Sequence, residues 1–331
     1  MAQNDNSWLR IVNKPHDYFF RLILRDPADA YGLLQACDPG LAAMIPPESM
    51  RPAKDTFVSD VLKERMADSV YDARIQSGSA ETDASLLFEH KSYRPKRIEL
   101  ALQLFSYHEG YLQGRYRTLE KGQDLPVLIP IVVYHGKGEL GNLRLSRQRR
   151  RPLPPHLSVY YPDFEPVVLD LNRFEPRKLR PKGYHFLASA LLALKYSRDE
   201  NYLAQNFVDV VAFESSNDPK NRYKVVALLH YLALMLNVTK EKFQAMVSTL
   251  PSQQAKVAKS AFEDILDSGR AEGLAKGLEK GRAEGRAEGY QKALKDKILH
   301  LIRLHPEWSD DYIAELLGEE TSLVAKLRKL A

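Results

Sequence analysis

Glu89 and Lys91 end a run, DASLLFEHKS at residues 83–92, that otherwise reads as buried strand, with Leu86, Leu87 and Phe88 directly before them. Alternate residues of a strand share a face, so Glu89 and Lys91 stand in one row with Leu87. His90 points the other way, with Phe88 and Leu86. Asp68 opens the preceding run, DSVYDARIQ, and the SGSAETD between the two is turn chemistry. An antiparallel hairpin closing near Ser77–Thr82 can bring Asp68 close to Glu89, so that two carboxylates and a lysine converge at one end of a sheet. Two carboxylates can hold Mg²⁺, which keeps several waters and is often shared with substrate phosphate. The ion lowers the pKa of a bound water and neutralises charge building on phosphate. A neighbouring lysine can orient or help deprotonate that water and stabilise the phosphate oxygens. These are parts for phosphodiester hydrolysis. An E-x-K at a strand end is also a common exposed cross-strand ion pair, and spacing by itself leaves both readings open.

The elements that must position these residues are legible in outline. PHDYFFRLILRDPADAYGLLQA spaces Phe19, Phe20, Ile23 and Leu24 as a helix does and breaks near Asp26–Pro27. DTFVSDVLKERM is ambiguous between strand and helix. KRIELALQLFSYHEGYLQGRYRTLE reads as a long helix with Ile98, Leu102, Phe105 and Leu112 as its apolar positions. LPVLIPIVVYHG is an apolar run bounded by Pro and Gly, suited to a central strand, and EPVVLDLN supplies another. From about residue 184 the apolar segments read as helices.

The chain has 331 residues, 44% of them hydrophobic, enough for one large domain or two. The one cysteine, Cys37, excludes an internal disulfide and suits a reducing cytosol. The N-terminal residues lack the apolar core of a secretion signal, and no stretch reaches membrane-span length. The expectation is a soluble, cytoplasmic protein. Net charge is +5. It concentrates in RLSRQRRRP, residues 144–152, and in RFEPRKLRPKG, residues 173–183. Either stretch reads as a solvated loop or as phosphate contacts.

Several segments together resemble the Rpn family of bacterial recombination-promoting nucleases, transposase-like proteins of the PD-(D/E)XK superfamily. They are PHDYFFRLILRDP, LKERMADSVYDARI, LLFEHKS, IELALQLFSYHEGYLQ and VLIPIVVYHGKG, in that order, over roughly residues 14–185. The resemblance implies an α/β fold of the restriction-endonuclease type, a mixed sheet flanked by helices, followed by a helical region and a C-terminal helical tail. It implies that Asp68 and Glu89 hold a divalent metal ion, Mg²⁺ first and Mn²⁺ or Ca²⁺ as alternatives. Lys91 becomes the catalytic lysine and Gln103 a helix residue supporting the site, with Tyr107 one turn on and Glu64 an auxiliary acid. Two departures stand out. Ala67 precedes Asp68 where the superfamily name has proline, and Lys91 stands where many Rpn relatives carry glutamine. His16, Asp17 and the Tyr134–His135–Gly136 turn are read first as structural: a helix-start hydrogen bonder, an N-terminal charge favouring the helix dipole, and a strand terminator.

Past residue 265 glycine recurs every fourth position, at 269, 273, 277, 281, 285 and 289, among helix formers. Interior glycine disfavours a helix by about 0.8–1.0 kcal/mol relative to alanine, so a close-packed partner helix is one explanation. A marginal helix or linker expanded by repeat slippage is the other. The last residues read as two short helices joined at Gly318, with Ser309 as an N-cap, a loose likeness to a helix-turn-helix tail. The divisions expected are 1–183 for the nuclease-like domain, 184–264 for a helical extension on its core, 265–295 for a self-associating helix and 296–331 for the tail.

The reading reached is a metal-dependent DNA endonuclease that promotes recombination and acts on double-stranded DNA. Arg144, Arg147, Arg149, Arg150 and Arg151 are its expected phosphate contacts, and residues 265–295 its homo-oligomer contact. The alternatives are a non-catalytic DNA-binding or assembly protein on a nuclease-like fold, and a nuclease directed to RNA.

Overall fold

In the computed structural model, which describes Leu9 and residues 12–53, 69–212 and 222–330, the LLFEHK run lies on the middle strand of a mixed five-stranded sheet. The strands are β1 (Arg51–Pro52), β2 (Ser69–Ser77), β3 (Ala80–Lys91), β4 (Val127–Tyr134) and β5 (Val167–Asp170), side by side in that order. The pairs β1–β2 and β2–β3 are antiparallel, while β3–β4 and β4–β5 are parallel. The expected hairpin is present from Ser69 onward. It turns over Gly78 and Ser79, with Gly78 at φ 62°, where a side chain would be strained. The segment DTFVSDVLKERM, with Glu64, and Asp68 after it lie outside the described residues.

The described helices are α1 (Pro15–Ile23), α2 (Pro27–Cys37), α3 (Pro39–Ala43), α4 (Arg97–Thr118), α5 (His185–Lys195), α6 (Glu200–Gln205), α7 (Phe207–Val210), α8 (Arg222–Leu236), α9 (Lys240–Ser248), α10 (Ser252–Leu304), α11 (Asp310–Leu317) and α12 (Thr321–Arg328). Parallel strands need a crossover, and α4 supplies it between β3 and β4. Between β4 and β5 the chain crosses instead by an irregular excursion, residues 135–166, holding two 3₁₀ turns.

Residues 84–91 of β3 are all buried because helices cover both faces of the sheet. On one face Leu87, Val132 and Tyr134 pack against Leu100, Leu104, Tyr107 and Tyr111 of α4. On the other, Leu86, Phe88, Ile131 and Val133 join a core with α1, α2, α5 and α8. Helices α5 to α9 and the first turns of α10 thus share the core of the sheet.

The inner face of α4 is not the one aliphatic spacing suggests. Ile98, Leu102 and Phe105 are 40%, 50% and 37% exposed, and Leu112 is only partly buried against the core. The buried stripe is Leu100, Ala101, Leu104, Tyr107 and Tyr111. The expected stripe left out Leu100 and Leu104, which share a face with Tyr107 and Tyr111, whose rings bury large apolar areas while their hydroxyls reach polar partners.

The chain divides into two compact units, Met1–Asp267 and Ser268–Ala331. The glycine ladder lies within α10, and Gly273, Gly277, Gly281, Gly285 and Gly289 have open space where a Cβ would stand. The second unit has its own small core of Ile298, Ile302, Ile313, Val324 and Leu327. As the sequence suggests, the Ser309 side chain accepts from the Tyr312 amide at the start of α11, and Gly318, at φ 69°, separates α11 from α12. Among the described residues no helix is long and apolar enough to cross a membrane.

Candidate active site

Ser85, Leu87, Glu89 and Lys91 alternate along β3 and face α4. Tyr111, Tyr107 and Gln103 step back along that helix by one turn each. Four strand residues rise about 13 Å and eight helical residues about 12 Å, so the two ladders keep step as they run in opposite directions. At one end Ser85 Oγ donates to the Asp72 carboxylate at 2.7 Å and also bonds the Tyr111 hydroxyl. Arg115 Nε donates to that hydroxyl at 2.7 Å, and its terminal nitrogen pairs with Asp72. This network ties β2, β3 and α4 into one register. At the other end the same register sets Gln103 opposite Glu89.

Glu89 and Lys91 are 3% and 8% exposed, which rules out the exposed ion pair. Lys91 Nζ donates to Glu89 Oε1 at 2.5 Å, and Gln103 Nε2 donates to the same oxygen at 3.1 Å. Gln103 also bonds the Tyr107 hydroxyl. Four of the expected site residues, Glu89, Lys91, Gln103 and Tyr107, therefore form one cluster. Asp68, expected beside them, and Glu64 lie outside the described residues; Ser69, next to Asp68 in the chain, pairs with Phe88, next to Glu89.

The opposite face of the same strand end holds a second polar cluster. His90 Nδ1 lies 3.1 Å from an Asp17 oxygen, His90 Nε2 lies 2.8 Å from His135 Nε2, and His135 Nδ1 lies 3.4 Å from Ser197 Oγ. A carboxylate only accepts, so with uncharged rings His90 donates to Asp17 and accepts from His135. The His90 ring stacks on Phe20, and His16 Nδ1 bonds the Tyr231 hydroxyl at 2.7 Å. Burial lowers the His16 pKa to about 4 and holds His135 well below the usual histidine range. The His90 hydrogen bond depresses the Asp17 carboxyl. The sequence held one signal for this cluster: FEHK and VYHG each set a histidine at a strand end. That they meet depends on β3 and β4 being parallel neighbours, which local spacing does not reveal.

A pocket of about 380 Å³ opens where both faces end, lined by Lys14, Asp17, Glu89, Lys91, Gln103 and Tyr107 among others. Tyr93, also on its wall, is 62% exposed. Lys14 takes a left-handed backbone, φ 52°, immediately before Pro15, a strained conformation for a side-chain-bearing residue at the pocket edge. A cavity of similar size, about 400 Å³, lies toward the hairpin turn beside Asp72, Asp83 and Arg115, where Asp72 and Arg115 serve the bracing network and Asp83 pairs with Arg74.

The expected phosphate-binding arginines divide. Arg144 is engaged by Asp163 at 3.2 Å and Glu165 at 3.5 Å, and Arg149 lies over the Tyr161 ring. Arg147, Arg150 and Arg151 are exposed and form no ion pair among the described residues. In the second basic stretch Arg173 pairs with Glu139, while Arg177 and Arg180 share Asp209. Much of that stretch's charge is answered within the fold.

Among the described residues no group of three His, Cys, Asp or Glu side chains is placed to hold a metal ion. Glu89 and Asp17 are the carboxylates on the pocket wall, and one or two such oxygen donors fit an ion such as Mg²⁺ that keeps its waters.

Comparison with known proteins bears on this arrangement. The chain is similar to the recombination-promoting nuclease RpnD of Escherichia coli O157:H7, 23% identical over 243 residues, covering 73% of this chain and 89% of the relative. It is similar also to RpnA of Escherichia coli K12, 26% identical over 125 residues, covering 37% of this chain and 40% of the relative. No solved structure matches the chain significantly. A family profile described as "Putative transposase, YhgA-like" matches residues 14–222, a span that holds both faces of the β3 end, and the chain belongs to that Rpn/transposase-like family.

Proposed function

We propose that this chain is a metal-dependent DNA endonuclease of the PD-(D/E)XK type, and that it promotes recombination by breaking DNA. The observation that carries the reading is the buried Glu89–Lys91 pair, held by Gln103 at the mouth of a pocket. Burying a carboxylate and an ammonium together is costly unless geometry and hydrogen bonds compensate, and such pairs often serve chemistry. The names of RpnA and RpnD point the same way.

Glu89, with Asp68 as the second acid, would hold the ion, and the ion would neutralise phosphate charge and acidify a bound water. Gln103 fixes the Glu89 carboxylate by donating to one of its oxygens. Lys91, moored to that same oxygen, presents an ammonium to the pocket for a phosphate oxygen or an attacking water. Lys14 adds a further cation at the pocket wall. The partner in this reading is double-stranded DNA, with Arg147, Arg150 and Arg151 on phosphates.

The test is incubation of supercoiled plasmid with Mg²⁺, Mn²⁺ or Ca²⁺, comparing the natural chain with Asp68→Ala and Lys91→Ala. Nicking is expected to fall at least a hundredfold in both variants, in the range that loss of a general acid–base group produces. Nicking that survives both substitutions removes the site. Binding without cleavage under every metal favours an assembly protein on this fold.

A further inference from the structure

The excursion between β4 and β5 carries a feature that the cleavage site does not use. It carries apolar side chains in the open: Val159 is 79% exposed, Tyr160 81% and Leu157 41%. They stand on a six-residue 3₁₀ turn, Pro155–Tyr160, with Pro154 before it and Pro162 close after. Residues i and i+3 of a 3₁₀ helix eclipse, so Leu157 and Tyr160 share one edge, with Val159 beside them.

The arginine run precedes this turn on the same excursion, and the two are fastened together. The Asp163 carboxylate, past the turn, accepts the Ser146 amide at 3.1 Å, the Ser146 hydroxyl at 2.5 Å and Arg144 Nε at 3.2 Å. The Arg149 guanidinium lies 5.3 Å from the centre of the Tyr161 ring. The two acids that follow the turn in the chain, Asp163 and Glu165, both engage Arg144. Arg147, Arg149, Arg150 and Arg151 are exposed, so the apolar projection is bordered by cations.

We propose that Leu157, Val159 and Tyr160 form a wedge that enters the minor groove of duplex DNA and unstacks a base step, while Arg147, Arg149, Arg150 and Arg151 hold the flanking phosphates. The proposal deepens the DNA reading above and rests on it for the identity of the polymer. Apolar side chains inserted between base steps, beside arginines or lysines, are a means by which minor-groove proteins kink a duplex. A membrane surface is better matched by a long amphipathic helix with a broad apolar face, and three side chains on one turn are too few. Proline on both sides limits the entropy lost when the wedge is gripped.

The test uses the full chain in EDTA, so that binding is read without cleavage, on a duplex carrying 2-aminopurine. The natural chain is expected to raise 2-aminopurine fluorescence as a base unstacks. Val159→Ser with Tyr160→Ser is expected to abolish that rise and weaken binding roughly tenfold or more. The slope of log affinity against log salt should stay unchanged in this variant. Arg147→Ala with Arg150→Ala and Arg151→Ala should lower that slope by about 2–3. Both sets are exposed, and circular dichroism checks that each variant keeps its fold. Unaltered fluorescence and affinity in the Val159/Tyr160 variant overturn the wedge. So does a loss confined to anionic vesicles or to single-stranded RNA. Plasmid nicking with a failed wedge removes this proposal alone, whereas a wedge signal without nicking removes only the nuclease reading.

Discussion

Lys91 and Glu89 meet a solvation problem before any question of catalysis. Each is charged in water, each is almost buried here, and each is the other's ion partner. Removing one leaves an uncompensated charge, so Lys91→Ala is expected to destabilise the chain by about 3–5 kcal/mol. Replacing both with apolar residues of similar shape, Glu89→Leu with Lys91→Met, should destabilise less than Lys91→Ala alone. Urea unfolding of the two variants checks the order; a double variant less stable than the single would mean that the pair contributes net stability beyond avoiding a lone buried charge. On the other face, His16 has a folded pKa near 4 against 6.5 in a free chain. Between those pH values the unfolded chain binds a proton that the folded chain refuses, so stability falls as pH drops from about 6.5 to 4. His135, lowered chiefly by burial, acts in the same sense, with His90, Arg198 and Asp17 as the charged or titrating neighbours of His16. His16→Gln keeps an acceptor for Tyr231 and removes one titration. Its melting temperature should therefore drop less between pH 7 and pH 5 than that of the natural chain, and equal drops would take His16 out of the acid response.

At the scale of elements, the site depends on two ladders in step. Ser85, Tyr111 and Arg115 brace one end of β3 against α4, and Gln103 meets Glu89 at the other. Tyr111→Phe removes a hydroxyl shared by Ser85 and Arg115, both at least partly buried. It is expected to destabilise by about 1–3 kcal/mol and to lower nicking without touching the pocket. Unfolding and plasmid assays on this one variant check both effects; undiminished activity would show that the brace serves stability only. The glycines of α10 pose the converse case. Open space surrounds the ladder positions from Gly273 to Gly289, so alanine there should stabilise the isolated helix by about 0.8–1.0 kcal/mol per site. We propose that the ladder is retained for close approach of a second copy, because a Cβ at each position would fill the groove. Gly277→Ala with Gly281→Ala and Gly285→Ala should raise helicity yet abolish self-association in sedimentation. A natural chain that sediments as a monomer would end that explanation and favour repeat slippage.

The whole molecule keeps its main core within Met1–Asp267, the first of its compact units. That core ends with Phe262 and Ile265, and the second unit has a separate one built around Ile298 and Ile313. A chain ending at Asp267 is therefore expected to unfold cooperatively, with a melting temperature within a few degrees of the corresponding transition in the full chain. Differential scanning calorimetry of both checks it, and a collapse of that transition would show that the second unit supports the first. The surface of the first unit is also uneven in charge. Arg147, Arg150 and Arg151 project outward, while Arg173, Arg177 and Arg180 are answered by Glu139 and Asp209. A shared composition conceals two different fates for basic stretches, and long-range acid partners decide between them.

Sequence by itself determined the strand ending in Glu89 and Lys91, the face those two share and the turn that closes the hairpin. Each follows from a period of two or from glycine's freedom at positive φ, both local properties. It also determined the helices that begin at Pro15 and end at Gly318, whose boundaries are written in single residues. Tertiary structure decided what those residues touch. It buried the pair that spacing alone could equally have left in solvent, and it turned α4 so that tyrosines rather than Ile98, Leu102 and Phe105 face the sheet. It brought His90 to His135 across two parallel strands and set Asp17 against them. Those contacts join positions 45 and 73 residues apart, and only the parallel strand pairing and the packing of α1 on that face of the sheet select them.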